Sequence, residues 1–486
     1  MLERILTNDD PVQSVKYLST RGEAPVLSFN EAMLAGLARD GGLYLPESYP
    51  VLSRETIAGF AGKSYGEVAK AVLLPFVGAD LDEATLEGMI AAAYGSFRHE
   101  AIAPLAQLGD NLFVLELFHG PTLAFKDLAM QLLARFMDHA LKQRGQHATI
   151  VGATSGDTGA AAIEAFRGLS NIDVVIFYPH QRVSDVQRRQ MTTAEGENIH
   201  VVALEGTFDD AQAIVKSLFN HTAFRDEFGL SGVNSINWAR VLAQTVYYFT
   251  SAVALGAPYR PVSYTVPTGN FGDILAGWIA KRMGLPIDRL VIATNENDIL
   301  VRALHDGVYE TRGVQHTQSP SMDIQVSSNF ERLLFELSGR DAASIRAKMA
   351  SLGQSRGFTL EAPLLAALRA EFDADRTSEQ ETATEIARCW DRSDMLIDPH
   401  TAVGVHAGRR RLADHPATPM VVLGTAHAAK FPDAIEKAIG LRPPLPHHMA
   451  GLFDRPERFT VLPNDTPAVE TFIRDRVGRG PTVKIA

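Results

Sequence analysis

The residues with the most evident chemistry are one lysine and two glycine-rich loops. Lys126 closes a short, largely apolar segment, Phe118–Asp127, just before an amphipathic run from Leu128 to Leu141. A lysine in partly dry surroundings loses some of its preference for the ammonium form, and its amine can then condense with a carbonyl. The alternative is that Lys126 opens a helix and points into water, as most lysines do.

Two glycine-rich loops each follow a predicted strand and precede a predicted helix. Thr268–Asp273 combines a tight glycine turn with a helix start, whose free N–H groups suit a phosphate. Its spacing matches neither the Walker pattern nor the dinucleotide fingerprint. Thr154–Gly159 offers two hydroxyls at a second helix start and suits a carboxylate or a phosphate. Asp157 works against an anion there unless it caps the helix or bonds to a protonated ligand group.

These three features are stronger together than singly. A glycine turn between a strand and a helix is common, and one such loop is weak support for a ligand. A phosphate cradle, a carboxylate cradle and an amine are the parts that a pyridoxal-phosphate enzyme acting on an amino acid requires.

Alternating strands and helices must position these residues. The alternation predicts an α/β fold with mostly parallel sheets covered by helices on both faces. Ligands bind beyond the carboxyl ends of such strands, where both glycine loops lie. The predicted strands are Leu112–Leu117, His147–Val151, Asp173–Tyr178, Ile199–Leu204, Val262–Val266, Leu290–Thr294 and Val421–Ala426.

Four regions are predicted along the chain. Residues 1–100 form a small, mostly helical N-terminal domain, whose first fifteen residues carry no clear pattern and whose order begins near Val15. Residues 101–320 form the cofactor-binding α/β region, and residues 321–395 a helix-rich subdomain. Residues 396–486 return to the α/β core and end in a C-terminal tail.

Composition narrows the class of protein. The 486 residues are 46% hydrophobic and 21% charged, as in a globular protein. The formal net charge of −11 argues against nucleic acid as a partner. One cysteine, Cys389, excludes a disulfide framework and a cysteine metal cluster, and no metal site is expected. No apolar run is long enough to span a membrane and no signal peptide is evident, so a cytoplasmic location is expected.

Several longer segments resemble threonine synthase, in its bacterial and fungal long branch. The resemblance runs from Lys16 to about Leu441, most of the chain. It is carried by Phe118–Asp127, Thr154–Gly159, Asn234–Arg240, Pro267–Asp273, Ser319–Asp323 and Leu423–Phe431.

The resemblance implies a pyridoxal-phosphate enzyme of fold type II, like the β subunit of tryptophan synthase. Such an enzyme converts O-phospho-L-homoserine and water to L-threonine and phosphate, and a monomer is expected. Lys126 matches the lysine that binds the cofactor covalently, and Thr425 the hydroxyl residue facing the pyridine nitrogen. The loop that holds the cofactor phosphate is matched by Gly269, Asn270, Phe271 and Gly272.

The substrate contacts are less fully determined by the matched motifs. Ser155, Asp157 and Thr158 fall in the loop that holds the substrate carboxylate in related folds. Arg240 is the first candidate for the substrate phosphate, because its fork of donors suits that group; the alternative is a structural arginine paired with an acid. His119 and His427 lie inside matched motifs, with a core role as plausible as a catalytic one.

Two other functions remain open. One is a different activity on the same fold, such as a serine/threonine dehydratase or a cysteine synthase. The long N-terminal domain and the Asn234–Arg240 segment argue against it. The other is a catalytically silent binding protein, which the retention of Lys126, both glycine loops and Thr425 argues against.

Overall fold

The computed structural model describes residues 15–478, apart from the side chain of residue 79. The patternless N-terminal stretch therefore lies almost wholly outside the described residues. Among the helices of the described range, none is both long and apolar enough to cross a membrane.

Fifteen strands and nineteen α-helices are present in residues 15–478. In chain order, strands β1 to β15 are Tyr17–Ser19, Tyr44–Pro46, Leu105–Gly109, Leu112–Glu116, Ala148–Ala153, Ile172–Pro179, Ile199–Glu205, Leu230–Ser231, Val262–Pro267, Ile287–Thr294, Val308–Glu310, Gly357–Thr359, Phe372–Arg376, Met420–Gly424 and Thr460–Pro463. Helices α1 to α19 are Phe29–Ala35, Arg54–Ala58, Tyr65–Val77, Glu83–Tyr94, Lys126–Arg144, Asp157–Phe166, Asp185–Thr192, Phe208–Asn220, Thr222–Phe228, Trp238–Ala254, Gly272–Arg282, Ile299–Asp306, Phe330–Leu337, Ala342–Ser355, Ala362–Glu371, Glu379–Ser393, Pro399–Asp414, Pro432–Ile439 and Thr466–Arg476.

Two mostly parallel sheets form the framework, as the alternation of strands and helices predicted. The larger sheet has the order β13-β10-β9-β14-β4-β3, and only β3 runs antiparallel to its neighbour. The smaller sheet, β15-β7-β6-β5-β8, is parallel throughout. Strand β6 is buried along its whole length, because helices cover both faces of a parallel sheet.

The predicted strands and helices are confirmed, with ends that differ by a few residues. The N-terminal helices α1 and α3 begin at capping boxes, in which Ser28 pairs with Glu31 and Ser64 with Glu67. Strands β1 and β2, which lie on either side of α1 in the chain, also form a short antiparallel pair that the sequence patterns did not indicate.

The regions predicted after residue 320 are tied into both sheets. Residues 321–395 contain four helices, but their strand β13 is the edge strand of the larger sheet, beside β10. Strand β15 from the C-terminal region lies beside β7 at the edge of the smaller sheet. The four-region division stays a prediction.

Helix α10 lies at the centre of the fold. Nearly every residue of Trp238–Ala254 is buried, and the helix packs against α3, α5 and α11. Burying a helix on all sides requires an apolar surface all round. Because α3 belongs to the N-terminal region and α5 and α11 belong to the α/β framework, α10 links these two parts of the molecule.

Candidate active site

A cavity of about 360 Å³ lies where the carboxyl ends of strands from both sheets meet. The smaller sheet contributes the end of β5 and the start of α6. The larger sheet contributes the ends of β9 and β14. The junction agrees with the rule that parallel sheets bind ligands beyond their carboxyl ends.

Lys126 is the first residue of α5, and its side chain lines this cavity. The residue is only 9% exposed, so the alternative of a lysine in water is excluded. Its position is fixed by the backbone, since Phe125 N donates to Thr425 O at 2.8 Å and Ala124 pairs with Ala426. Burial lowers the pKa of the Lys126 amine, and the positive charges of Lys430 and Arg240 lower it further, against the opposing effect of Asp157.

Asp157 is shared between two lysines. Its Oδ2 lies 3.6 Å from Lys126 Nζ, and its Oδ1 lies 3.0 Å from Lys430 Nζ. Gln187 Nε2 also donates to Oδ1, at 2.9 Å. Burial favours the neutral carboxyl, but Lys430 and Lys126 outweigh it and hold the pKa of Asp157 far below its ordinary value.

The Thr268–Asp273 loop presents unpaired backbone donors to the cavity. Within residues 15–478, no acceptor takes the N–H groups of Gly269, Asn270, Phe271 or Gly272. Their carbonyls are held from the other side: Ser327 Oγ donates to Gly269 O at 2.6 Å, and Asn329 N donates to Asn270 O at 3.0 Å. This arrangement has the donors that a phosphate at a helix start needs.

Two backbone features of this loop explain its sequence. A Cβ on Gly269 would lie 2.9 Å from Ser321 O, which is closer than a carbon and a carbonyl oxygen tolerate. Phe271 has a left-handed φ of 65° and buries its ring against Phe330. The Phe271 side chain therefore anchors the loop in the core, and only its backbone remains for a ligand.

Thr425 follows β14 and lines the same cavity. Its hydroxyl is buried, and no group in the described residues bonds to it. Its backbone is held by Thr401, whose Oγ1 accepts from Thr425 N at 3.1 Å, and Thr401 is in turn bonded to the buried Asp398. A buried hydroxyl without a partner is costly in a folded protein, which points to a polar ligand atom beside it.

Arg240 lies in the first turn of α10, with its side chain in the cavity wall. It is 4% exposed, and Nη1 donates to Val233 O at 2.9 Å. Its buried Nε has no partner, and no carboxylate in the part of the chain described forms an ion pair with it. Burial lowers the pKa of this guanidinium to about 10. The alternative of a structural arginine paired with an acid is therefore excluded.

The other predicted substrate residues are only partly brought together. Asp157 and Thr158 line the cavity, whereas Ser155 is half-buried in the same loop outside its wall. His119 and His427 line a second cavity, together with Phe118 and Leu123. Burial lowers the pKa of His427 to about 4, which keeps its ring neutral at ordinary pH.

Three cavity or near-cavity residues were missed by the sequence reasoning. His400 Nε2 accepts from Ser321 N at 3.1 Å, and its Nδ1 bonds to Asp398 Oδ2 at 2.7 Å. The His400 ring therefore holds Ser321 in place beside Gly269. Asp273 lines the cavity, and burial raises its pKa to about 6. Lys430 was inside a quoted motif, Leu423–Phe431, but nothing in that motif indicated its contact with Asp157.

Profiles of known families match nearly the whole described chain. Residues 16–94 match "Threonine synthase N terminus", residues 98–425 match "Pyridoxal-phosphate dependent enzyme", and residues 401–473 match "Threonine synthase, C-terminal". Each of the three matches includes residues described above or the N-terminal elements that pack against α10.

Individual proteins agree with these profiles. A threonine synthase of Pseudomonas aeruginosa is 51% identical over 469 residues, which cover 96% of this chain and 99% of that protein. The crystal structure of PLP-bound threonine synthase from Brucella melitensis has a TM-score of 0.94 and 59% identity, covering 95% of this chain and 99% of that one. The yeast threonine synthase structure has a TM-score of 0.91 and 38% identity, covering 96% and 99%. The chain belongs to the threonine synthase family of pyridoxal-phosphate-dependent enzymes.

Proposed function

We propose that the cavity between the two sheets converts O-phospho-L-homoserine and water to L-threonine and inorganic phosphate. Membership of the family makes the chain a lyase that uses pyridoxal phosphate. The observation that carries the assignment of the reacting residue is the buried amine of Lys126. Its nearest charged partner is 3.6 Å away, and its surroundings disfavour the ammonium form.

The cavity wall fits the three parts of pyridoxal phosphate. Lys126 would bind its aldehyde carbon. The free N–H groups of Gly269, Asn270, Phe271 and Gly272 would hold its phosphate, and the Gly269 turn leaves room for close approach. The partnerless hydroxyl of Thr425 would meet the pyridine nitrogen.

A hydroxyl at this nitrogen has a chemical consequence. Unlike a carboxylate, it does not stabilise a proton on the ring nitrogen. Pyridoxal phosphate, when bound, supplies an aldehyde that links to amines and a ring that withdraws electrons from the substrate carbons. With Thr425 at the nitrogen, that withdrawal is weaker, which disfavours transamination.

The proton transfers fall to Lys126. With the substrate amine held at the cofactor, the freed amine of Lys126 would take a proton from Cα and then one from Cβ. The C–O bond at Cγ would break as phosphate leaves, and Lys126 would give one proton to Cγ. Water would add its hydroxyl at Cβ, its remaining proton would pass to the phosphate, and Lys126 would return the second proton to Cα before threonine departs.

Arg240 and the Thr154–Gly159 loop would hold the rest of the substrate. The unpaired guanidinium of Arg240 suits the substrate phosphate. Thr158, in the first turn of α6, lines the cavity and suits the substrate carboxylate, whereas Ser155 lies outside the wall. The carboxylate of Asp157 repels another carboxylate, and its contacts with Lys126 and Lys430 fit a role toward those lysines.

The remaining proposals concern the state of the protein. We propose a cytoplasmic monomer whose partner is a small molecule, without nucleic acid or membrane. The net charge of −11 and the single cysteine support this. Light scattering on the purified protein would test the monomer.

The reaction is tested by product stoichiometry. The holoenzyme is given O-phospho-L-homoserine, and threonine and phosphate are measured together. The proposal requires one phosphate per threonine, with no activity in the Lys126→Ala variant. Formation of a keto acid from serine or threonine without phosphate release would instead identify a dehydratase on the same fold.

A further inference from the structure

Lys430 is a fully buried lysine to which the proposed reaction assigns no role. Its side chain has no exposed surface, and its Nζ is surrounded by three acceptors. These are Thr122 O at 2.7 Å, Gln190 Oε1 at 2.8 Å and Asp157 Oδ1 at 3.0 Å. An ammonium group has three N–H donors, so all of them are satisfied and the charge of Lys430 is well stabilised.

The contact with Lys430 determines what Asp157 offers to Lys126. Lys430 Nζ and Gln187 Nε2 both occupy Oδ1 of Asp157, which leaves only Oδ2 for Lys126, at the longer distance of 3.6 Å. The ring of Phe125 lies 4.8 Å from Lys126 Nζ.

The charges around Lys126 are therefore unbalanced. Those facing it come from every element that packs against it: Asp157 on α6, Lys430 after β14, Arg240 on α10, Asp273 on α11 and His400 on α17. Among residues 15–478, Asp157 is the one acid within ion-pair distance of Lys126, and its other oxygen is already paired with Lys430. Of the two lysines that share Asp157, Lys126 has the fewer stabilising contacts.

We propose that Lys430 is a positioning residue that occupies one oxygen of Asp157 and adds a fixed positive charge, so that the amine of Lys126 stays uncharged and reactive. This role rests on the proposed function of Lys126. It places a second lysine behind the reacting one, connected to it through a single carboxylate.

Titration of Lys126 in the full-length protein, freed of its cofactor, tests this role. A small amine-reactive anhydride is applied across a range of pH, and acylation of the Lys126 peptide is quantified by mass spectrometry. In Lys430→Met the midpoint should move upward by about one pH unit, so that acylation at neutral pH is about tenfold slower. In Asp157→Asn the midpoint should move downward, because Lys430 is then unopposed. Lys430→Arg keeps the charge and should stay near the wild-type midpoint.

The opposite directions separate this role from a merely structural one. If Lys430 and Asp157 only held the cavity together, both substitutions would let water in and move the Lys126 midpoint upward. An upward shift in Asp157→Asn, or an unchanged midpoint in Lys430→Met, would overturn the proposal. Should Lys430→Met not fold, Lys430→Gln, which removes the charge but keeps a hydrogen-bond donor, takes its place, and an unchanged Lys126 midpoint there would overturn the proposal.

A failure of the proposed function would give a different result. If borohydride fixed the cofactor on another lysine of the holoenzyme, the role of Lys126 would be wrong. The acylation midpoints of Lys126 would still report whether Lys430 and Asp157 control its proton.

Discussion

Replacing Arg240 with methionine should raise the stability of the ligand-free protein and destroy its response to phosphate. The guanidinium is buried, has one hydrogen bond to Val233 O and lacks an acid partner among residues 15–478. A buried charge without a counter-ion is costly, and it persists where a ligand of opposite charge compensates it. Methionine has a similar length and no charge to bury.

The size of the effect follows from the pKa of Arg240. Burial lowers that pKa to about 10, so the charged form is penalised in the folded state at every pH below ten, by roughly 3 kcal/mol. Loss of the bond to Val233 O returns about 1–2 kcal/mol. The free energy of unfolding of Arg240→Met should therefore rise by about 1–2 kcal/mol. Removing a charged contact costs roughly 2–5 kcal/mol of binding, so kcat/KM should fall by a factor of about 30 to 4,000.

The assay is denaturant unfolding with and without inorganic phosphate, together with phosphate release from the substrate. Because the cofactor phosphate occupies the donors of the Thr268–Asp273 loop in the holoenzyme, the phosphate response is measured on that form. Wild-type holoenzyme should be stabilised by phosphate through its binding to the folded state, and the variant should not. Arg332→Met is the matched control. Burial also lowers the pKa of Arg332 to about 10, but its donors bond to Tyr44 O, Ile236 O and Asn329 Oδ1, so its loss should destabilise the protein. An Arg240→Met protein that is destabilised like the control, and still responds to phosphate, would refute the reasoning.

Three further substitutions test other parts of the site. Thr425→Val should weaken cofactor binding about fivefold to tenfold, roughly 1 kcal/mol, without loss of ligand-free stability, because the hydroxyl it removes has no partner in the described chain; a fluorescence titration measures this, and equal affinities would contradict it. Gly269→Ala should weaken cofactor binding at least about tenfold, because its Cβ would lie 2.9 Å from Ser321 O. Its control is Gly313→Ala, where no atom lies within 4 Å of the added Cβ. Burial raises the pKa of Asp127 to about 6, so this group contributes stability below pH 3.8 that is lost as the pH rises through 6, roughly 3 kcal/mol in all. The free energy of unfolding of Asp127→Asn should not show that fall between pH 4 and 6. A fall parallel to that of wild type would contradict the raised pKa of Asp127.

The loops of the site could be predicted because their signals are local. A glycine turn between an apolar strand and an amphipathic helix is visible within about ten residues, as at Thr268–Asp273. Both loops then lie at the carboxyl ends of parallel strands, where the fold rule puts ligands. The apolar segment before Lys126 indicated partly dry surroundings, but by itself it left open a lysine that points into water.

The contacts between distant segments could not be predicted. Lys430 follows β14 of the larger sheet, and Asp157 begins α6, which follows β5 of the smaller sheet. The two residues meet only because both sheets border one cavity. Whether Arg240 has an acid partner depends on residues that are distant from it in sequence. The Asn234–Arg240 segment therefore could not reveal that none of the described acids pairs with it. Strand β15 is short and pairs with β7 from about 250 residues away, so its pattern alone was too weak to indicate a strand.

The central claim is that Lys126 carries the cofactor and starts the reaction. The most direct measurement is borohydride reduction of the holoenzyme, followed by peptide mapping by mass spectrometry. We expect loss of the visible absorbance band and one pyridoxyl-phosphate adduct, on the peptide that contains Lys126. An adduct on Lys430 or on any other lysine, with Lys126 unmodified, would contradict it.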